Sequence, residues 1–503
     1  MSEATESVFV WSYRHLPDPA ARAFRLLGLH PGADFGLDSA AAITGEPLDR
    51  TRELLDALTG AHLLEQRSPG RFRFHDLLKA FAAHTAEREE DSAARQMAMR
   101  RLTDHYLQAT MAAVQQIPGL PSDAYAERVA PPVTAQSFED REQALAWYEA
   151  EKNNIVAVVV AAATWGFDDV CWLLPVLAAP LYSLGWDTTL RMEATTAGLA
   201  AALRLGDKAA EAAVRLSLGA TYKAKGDFQR ALDQNSAART LLQTLGDRAG
   251  FAQASNRVAV AHLMMRDFPA AVAALHEGLD ATDPERPSGM RLLILGNLAE
   301  CHLDMGEPHS ALAIALTLPP ATESTQDEES QAAKENAIRL VRAYTEVGEL
   351  DQAERCADAH SERLTGNLRH RMLLSHAELR IRQGRPEDAL SDCEACIRLQ
   401  AVEKVRVEAD AFDGKGHALR LLGRPAEAVE LHLEALEARR RADEPFETAK
   451  TLFLLGEAYR ELAESVNAAQ AKDEALSLLA PFGDCRADDL RRRLEAWGET
   501  REA

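Results

Sequence analysis

Hydrophobic positions recur at three- and four-residue intervals along most of the chain, the spacing of amphipathic helices, and from Asp207 onward that pattern is itself repeated. Each repeat has a helical stretch with a small or β-branched residue, then a turn, then an alanine on a second helical stretch. The alanines are Ala231, Ala271, Ala311, Ala353, Ala389, Ala428 and Ala468, spaced by 40, 40, 42, 36, 39 and 40 residues. Twelve residues before each stand Gly219, Ala259, Ala299, Val341, Ala377, Gly416 and Gly456. Turns such as Lys225-Gly226-Asp227, Met305-Gly306-Glu307 and Gln383-Gly384-Arg385 lie between the two helical stretches. Glycine suits a helix end that needs positive φ, and Pro308, Pro386 and Pro425 suit a first helical turn. The pattern predicts helical hairpins that bury their apolar faces only by stacking, which gives a right-handed α-solenoid.

The N-terminal part reads differently. Pro17-Asp18-Pro19 opens a helix through Leu29, Asp38 is placed to cap a short helix to Thr44, and Pro47–Ala61 forms a third. Leu63–Arg67 and Arg71–Phe74 read as strands joined at Ser68-Pro69-Gly70, and His75-Asp76 starts another helix. Three helices followed by a β-hairpin predict a winged helix in an otherwise all-α chain. The expected organisation is a winged-helix-like domain over 1–90 and a helical connector over 91–206, with a Pro-rich linker at 115–139. A superhelix of about seven units follows over 207–484, and a C-terminal capping helix or tail over 485–503. Ala321–Glu329, polar and acidic, predicts a long loop between the third and fourth repeats.

Composition narrows the function classes. Of 503 residues, 47% are hydrophobic but only 6% aromatic, a mix suited to closely packed helices. Lys and Arg number 56 against 78 Asp and Glu, a formal net charge of −22, which disfavours autonomous binding to nucleic acid or anionic membrane. The third N-terminal helix carries Asp49, Arg50, Arg52, Glu53 and Asp56, a poor recognition helix for a major groove, although the wing offers Arg67, Arg71 and Arg73. The apolar runs Ile155–Ala163 and Val170–Tyr182 are too short to span a bilayer, and six cysteines are too few for a disulfide scaffold. A soluble, cytoplasmic protein is expected.

The repeats resemble the tetratricopeptide repeat. A small residue stands at the family's eighth position, alanine at its twentieth, and Tyr222, Tyr344 and Tyr459 at its eleventh. His262, His302, Arg380 and Leu419 depart from that tyrosine, and the usual aromatic four residues after the alanine is missing throughout. Three N-terminal segments, Val10-Trp11-Ser12-Tyr13-Arg14, Phe24–Gly32 and Phe74-His75-Asp76-Leu77-Leu78, resemble the winged-helix part of AfsR-type STAND regulators. Ala144–Ala150 with Glu151-Lys152-Asn153-Asn154 is similar to their helical connector. The resemblance implies a regulator read without its DNA-binding and NB-ARC ATPase modules. The family's P-loop is not in this sequence, whose only Gly-Lys, Gly414-Lys415, lacks the upstream glycine. The ADP-sensing role the family gives to the histidine of Phe74-His75-Asp76 therefore has no ligand here, and capping of the next helix is the preferred reading.

No H-E-x-x-H or G-x-S-x-G sequence is present, and Cys393-x-x-Cys396 lacks a second ligand pair, so no catalytic, cofactor or metal residues are nominated and packing is expected of the two cysteines. Repeat register places Lys223, Asn256, Glu300, Arg342, Glu378, Asp413, His417, Arg420, Glu457 and Arg460 on the concave face, a mixed-charge lining able to hold an extended peptide. The favoured function is a non-enzymatic regulator that binds a protein or peptide partner in transcriptional control. The alternatives are an intracellular small-molecule or peptide receptor, and a scaffold recruited to accessory or enzymatic work in a biosynthetic pathway. Self-association into a homo-oligomer stays open.

Without a phosphate cradle, the polypeptide is expected to give no saturable heat when titrated with ATP or ADP in the presence of Mg²⁺. Micromolar binding that disappears in His75→Ala would overturn that expectation.

Overall fold

The computed structural model describes residues 11–117, 125–129, 136–185, 187–285, 288–319, 328–399 and 404–498. Pro118, Pro121, Pro131 and Pro132 of the expected linker, and most of the loop at 321–329, lie outside the described residues. The chain divides into two compact units, Met1–Arg257 and Val258–Ala503, with the division inside the second repeat.

After a helical turn at 11–14, unit 1 has helix α1 (Asp18–Leu27), strand β1 (Phe35–Gly36), helices α2 (Leu37–Thr44) and α3 (Leu48–Gly60), and strands β2 (Glu65–Ser68) and β3 (Arg71–Arg73). The sheet is antiparallel in the order β1-β3-β2, with Phe35 opposite Phe72 and a register shift between Gln66 and Ser68. The three expected helices and the hairpin are present, with one further short strand after the first helix. The sequence had not suggested β1, whose two residues are too few to show an alternating pattern. Helix α2 starts one residue before the expected cap. Gly36 is its N-cap and Ser39 bonds both the amide (3.2 Å) and the carbonyl (3.1 Å) of Gly36, while Asp38 lies in the first turn. Phe24, Phe35, Phe72 and Phe74 are buried together, with Phe24 edge-on to Phe74 and Phe35 stacked on Phe72.

Helices α4 (Asp76–Glu89), α5 (Ser92–Gln115), α6 (Arg141–Trp165), α7 (Asp168–Leu177), α8 (Ala179–Gly185) and α9 (Thr188–Leu205) follow. The apolar runs of α6 and α7 form the centre of one continuous core, with Ile155, Val158, Val159, Val170 and Leu174 fully buried. Among the described residues no helix is long and apolar enough to cross a membrane. His75 sits at the N-cap of α4, but neither it nor Asp76 makes a capping side-chain bond and both are exposed, so the expected capping role is not realised.

The seven repeats fold as seven hairpins. Hairpin 1 is α10 (Lys208–Ala224) with α11 (Phe228–Leu245), and hairpin 2 is α12 (Arg248–Met264) with α13 (Phe268–Asp280). Hairpin 3 is α14 (Gly289–Asp304) with α15 (Pro308–Ala315), and hairpin 4 is α16 (Glu328–Val347) with α17 (Leu350–His360). Hairpin 5 is α18 (Gly366–Arg382) with α19 (Pro386–Arg398), and hairpin 6 is α20 (Lys404–Leu421) with α21 (Pro425–Ala442). Hairpin 7 is α22 (Pro445–Glu461) with α23 (Ser465–Leu479), and α24 (Cys485–Glu495) closes the chain. All seven register alanines are buried, none more than 5% exposed.

Each hairpin turn closes in the same way. The amide that opens the second helix returns to the carbonyl at the family's eleventh position, as in Asp227 N to Tyr222 O (3.0 Å), Glu307 N to His302 O (2.8 Å) and Glu464 N to Tyr459 O (2.9 Å). Only the backbone of that position is needed, which explains why Tyr, His, Arg and Leu alternate there. The two histidines do more than replace tyrosine: His302 reaches Glu307 at 2.8 Å and His262 reaches Asp267 at 3.2 Å, each at the start of the next helix.

In two hairpins the position of the missing aromatic packs over a glycine. Asn235 stands where an aromatic is usual and fills the space that Gly219 leaves open, and His432 does the same over Gly416. A Cβ on Gly416 would lie 2.7 Å from the His432 ring. Gly416→Ala is therefore expected to cost about 1–3 kcal/mol through overpacking. Combined with His432→Ala, the loss should be smaller than the sum of the single losses by at least ~1 kcal/mol, measured by urea unfolding in a double-mutant cycle. Simple additivity would contradict the close-packing account.

Candidate functional site

Two polar constellations stand out, one in each unit. In unit 1 the segments Phe24–Gly32 and Ala144–Asn154, two of those that carry the resemblance, meet residues of β3, α4 and α5. Glu151 of α6 is almost fully buried and receives Tyr106 Oη at 2.7 Å and Asn154 Nδ2 at 2.7 Å. Arg71 of β3 forks between Glu151 and Asp34. Asn154 also donates to the Asp34 carbonyl at 3.0 Å, and Lys79 Nζ donates to the Gly32 carbonyl at 2.6 Å.

Two glycines make this convergence sterically feasible. A Cβ on Gly28 would sit 2.5 Å from Ala82 of α4, and one on Gly32 would overlap the Asn154 amide. His30 lies beside Tyr106, its pKa lowered to about 3 by burial and by the cations Lys79 and Arg71, so its ring is neutral. Burial likewise lowers His105 to about 4. The arrangement is a structural lock between wing and connector. It also engages Arg71, one of the three wing arginines. Arg73 pairs with Glu65, and on α3 Arg50 pairs with Glu53 and Arg52 with Asp49.

In unit 2 the register residues separate into two groups. Glu300, Arg342, Glu378, His417, Arg420, Glu457 and Arg460 are half-buried or exposed on first helices. Glu300 takes Arg342 from the next hairpin and has Arg339 at 3.6 Å, and Arg342 also reaches Asp304 at 3.5 Å. Burial works against the Glu300 carboxylate, but the flanking arginines outweigh it and hold its pKa low; Asp304 is pushed up by burial and by the Glu300 charge. Arg420 bridges to Glu461 at 2.6 Å and Glu457 at 3.6 Å on hairpin 7. Arg460 pairs with Glu457 at 3.1 Å and lies over the Trp497 ring, and Glu378 pairs with Arg382 at 3.1 Å. His417 is lowered to about 4 by burial and the neighbouring Arg420, so it too is neutral.

Asp413 departs from the expected lining. It is buried, accepting Thr451 Oγ1 at 2.6 Å, His432 Nδ1 at 2.9 Å and Arg439 Nη2 at 3.2 Å. Asn256 in unit 1 is also buried, while Lys223 at the end of α10 is exposed. Both buried residues hold the family's fifth position, one helical turn from the small residue, and there the first helix turns into the packing seam. Cys393 and Cys396 are buried in the same kind of seam with both thiols pushed up to about 12 by burial, and no group of metal-binding side chains occurs among the described residues.

Residues 407–480 match the tetratricopeptide repeat family. Regulatory protein AfsR of Streptomyces coelicolor is 32% identical over 326 residues, covering 62% of this chain and 32% of that protein. Its counterpart in Streptomyces griseus is 30% identical over 312 residues with the same coverages. The chain thus spans about a third of the length of the curated relatives it matches. Among solved structures, the apo form of the quorum sensor NprR from B. thuringiensis is 12% identical at a TM-score of 0.49, covering 66% of this chain and 99% of that one. The STAND protein PH0952 from Pyrococcus horikoshii, with its tetratricopeptide repeat sensor, is 12% identical at 0.41, covering 96% and 66%.

Removing Arg71 would leave the Glu151 carboxylate buried and uncompensated. Arg71→Ala is expected to cost about 3–5 kcal/mol in urea unfolding, and Glu151→Gln in the same chain should recover much of it. A loss below ~1 kcal/mol would contradict the lock. The chain carries tetratricopeptide repeats and, over the stretch they share, is similar to the AfsR regulatory proteins.

Proposed function

We propose that this chain is a non-enzymatic regulatory protein whose tetratricopeptide repeats bind an extended segment of a protein partner, in the control of transcription. The observation that carries the reading is the ladder of charged side chains on consecutive first helices of unit 2. Arg342, Glu378, Arg420 and Arg460 keep part of their surface open while their ion pairs hold them in fixed positions. Fixed donors and acceptors at hairpin intervals suit a polypeptide laid along several repeats, because each unit offers a further contact at little ordering cost. The AfsR relatives supply the regulatory context. Duplex DNA is not the proposed ligand: the acidic net charge and the paired arginines of α3 leave little to neutralise phosphates.

The test starts from a partner recovered by pull-down from the native host and measured by calorimetry. Arg342→Ala and Arg420→Ala are expected to weaken its binding by about 1–3 kcal/mol, the range for losing a charge-assisted hydrogen bond, and to flatten the salt dependence. Glu430→Ala, on an exposed position of the second helix α21, should leave both unchanged. Circular dichroism must show the variants folded. Equal weakening by Glu430→Ala would overturn the reading.

A further inference from the structure

In five hairpin turns the residue with left-handed backbone is glycine: Gly226, Gly306, Gly348, Gly384 and Gly423, with φ between 72° and 92°. Hairpin 2 has Arg266 there and hairpin 7 has Ala463, both at φ 60°. Side chains other than glycine rarely adopt that conformation, so Arg266 holds it against a local preference. Unlike Ala463, it also carries a long side chain, and that side chain is anchored. The guanidinium makes two bonds to Asp484, Nε at 2.9 Å and Nη2 at 2.6 Å, and lies 3.5 Å from the centre of the Phe446 ring with Phe268 and Phe482 alongside. The pair is well shielded, with 15% of the Arg266 and 9% of the Asp484 side chain exposed.

Asp484 is also the N-cap of α24, accepting the amides of Arg486 and Ala487 at 3.1 Å each. The two residues after it continue the attachment. Cys485 Sγ meets the Met305 carbonyl in the turn of hairpin 3. Arg486 donates to the Leu303 carbonyl at 2.7 Å and pairs with Glu346 near the end of the first helix of hairpin 4. Within unit 2, the start of the terminal helix is thus fastened to the turn ends of hairpins 2, 3 and 4.

We propose that Arg266, Asp484, Arg486 and Glu346 form a latch that closes the repeat array of unit 2 on itself and controls access to its first-helix face. The proposal rests on the reading of that face as the binding surface. Closed, the latch holds the terminal helix over the ends of three first helices. Released, the array can splay and admit an extended polypeptide from the side. The contacts are non-covalent and so reversible, and Arg266→Gly would place at this turn the residue most of its sister turns already use, leaving the hairpin able to fold.

Two measurements on the full chain test the latch, and neither needs the partner. A Cβ on Gly306 would lie 3.3 Å from Cys485 Sγ, so Gly306→Cys should form an intramolecular disulfide with Cys485 under mild oxidation, and this should be lost in Cys485→Ser. Amide exchange followed by mass spectrometry should then be at least about tenfold faster in Arg266→Gly across 264–268 and 482–490. Hairpins 5 and 6 should be unchanged. Asp484→Asn, which keeps a side chain able to cap α24, should speed the same segments to a lesser degree. Failure to cross-link, or unchanged exchange at both segments, overturns the latch.

Access is read separately with a 5-kDa polyethylene-glycol maleimide on Asp304→Cys, a partly shielded position at the end of the first helix of hairpin 3, in the Cys485→Ser background. Labelling should be at least about fivefold faster when Arg266→Gly is added, whereas a small maleimide should label both at one rate. Equal labelling by the bulky probe would overturn the gating. A latch that passes all of these while groove variants leave partner affinity untouched would place the failure with the binding reading alone.

Discussion

Close approach of helix backbones at small residues is the constraint on which the rest of this structure depends. Seven alanines and the glycine, alanine or valine opposite them set how near the two helices of each hairpin lie, and the buried alanines leave no space for a larger group. Once backbones are that close, side-chain volume must be conserved locally. Asn235 and His432 fill the space that Gly219 and Gly416 leave open, and a Cβ on either glycine would collide with them. His432 brings a polar ring into the seam, and Asp413 turns inward to bond it together with Thr451 and Arg439. Close packing at Gly416 thereby sits beside a buried ionic network that extends to Thr451 on α22.

Electrostatics follow from the same geometry. The chain carries an excess of acid, yet the groups packed between helices are paired or neutral. His30 and His417 are held uncharged by burial and by neighbouring cations, and His105 by burial. The charged groups that keep partial exposure on the first helices of unit 2 are tied from one hairpin to the next, as in Glu300 with Arg342 and Arg420 with Glu461. Such pairs contribute modestly to stability where water reaches them. Their greater effect is to fix positions along the array.

The repeats were legible in the sequence because each hairpin is local: its turn, its small residue and its alanine lie within one short period. The helices and hairpin of residues 17–74 were legible for the same reason, except for β1, which exists only as a partner for β3. What stayed hidden depends on contacts distant in the chain. The Glu151 cluster unites residues from Asp34 to Asn154, and only the family resemblance of its segments hinted at it. Asp413 and Asn256 were placed on the groove because register fixes a helix face only to within about a turn, and the fifth position lies at the edge between groove and seam. Arg266 did leave a signal, a large charged residue at a turn position that glycine fills in most sister repeats. Its partner Asp484 could not be inferred from spacing.

The central claim is that the first helices of unit 2 form the surface that receives a partner. Amide hydrogen exchange on the full chain, with and without saturating partner, tests it most directly. The account predicts added protection concentrated in α14, α16, α18, α20 and α22, with little change in the second helices between them. Protection confined to residues 18–89, with the repeat helices unchanged, would contradict it and assign the docking surface to the winged-helix region.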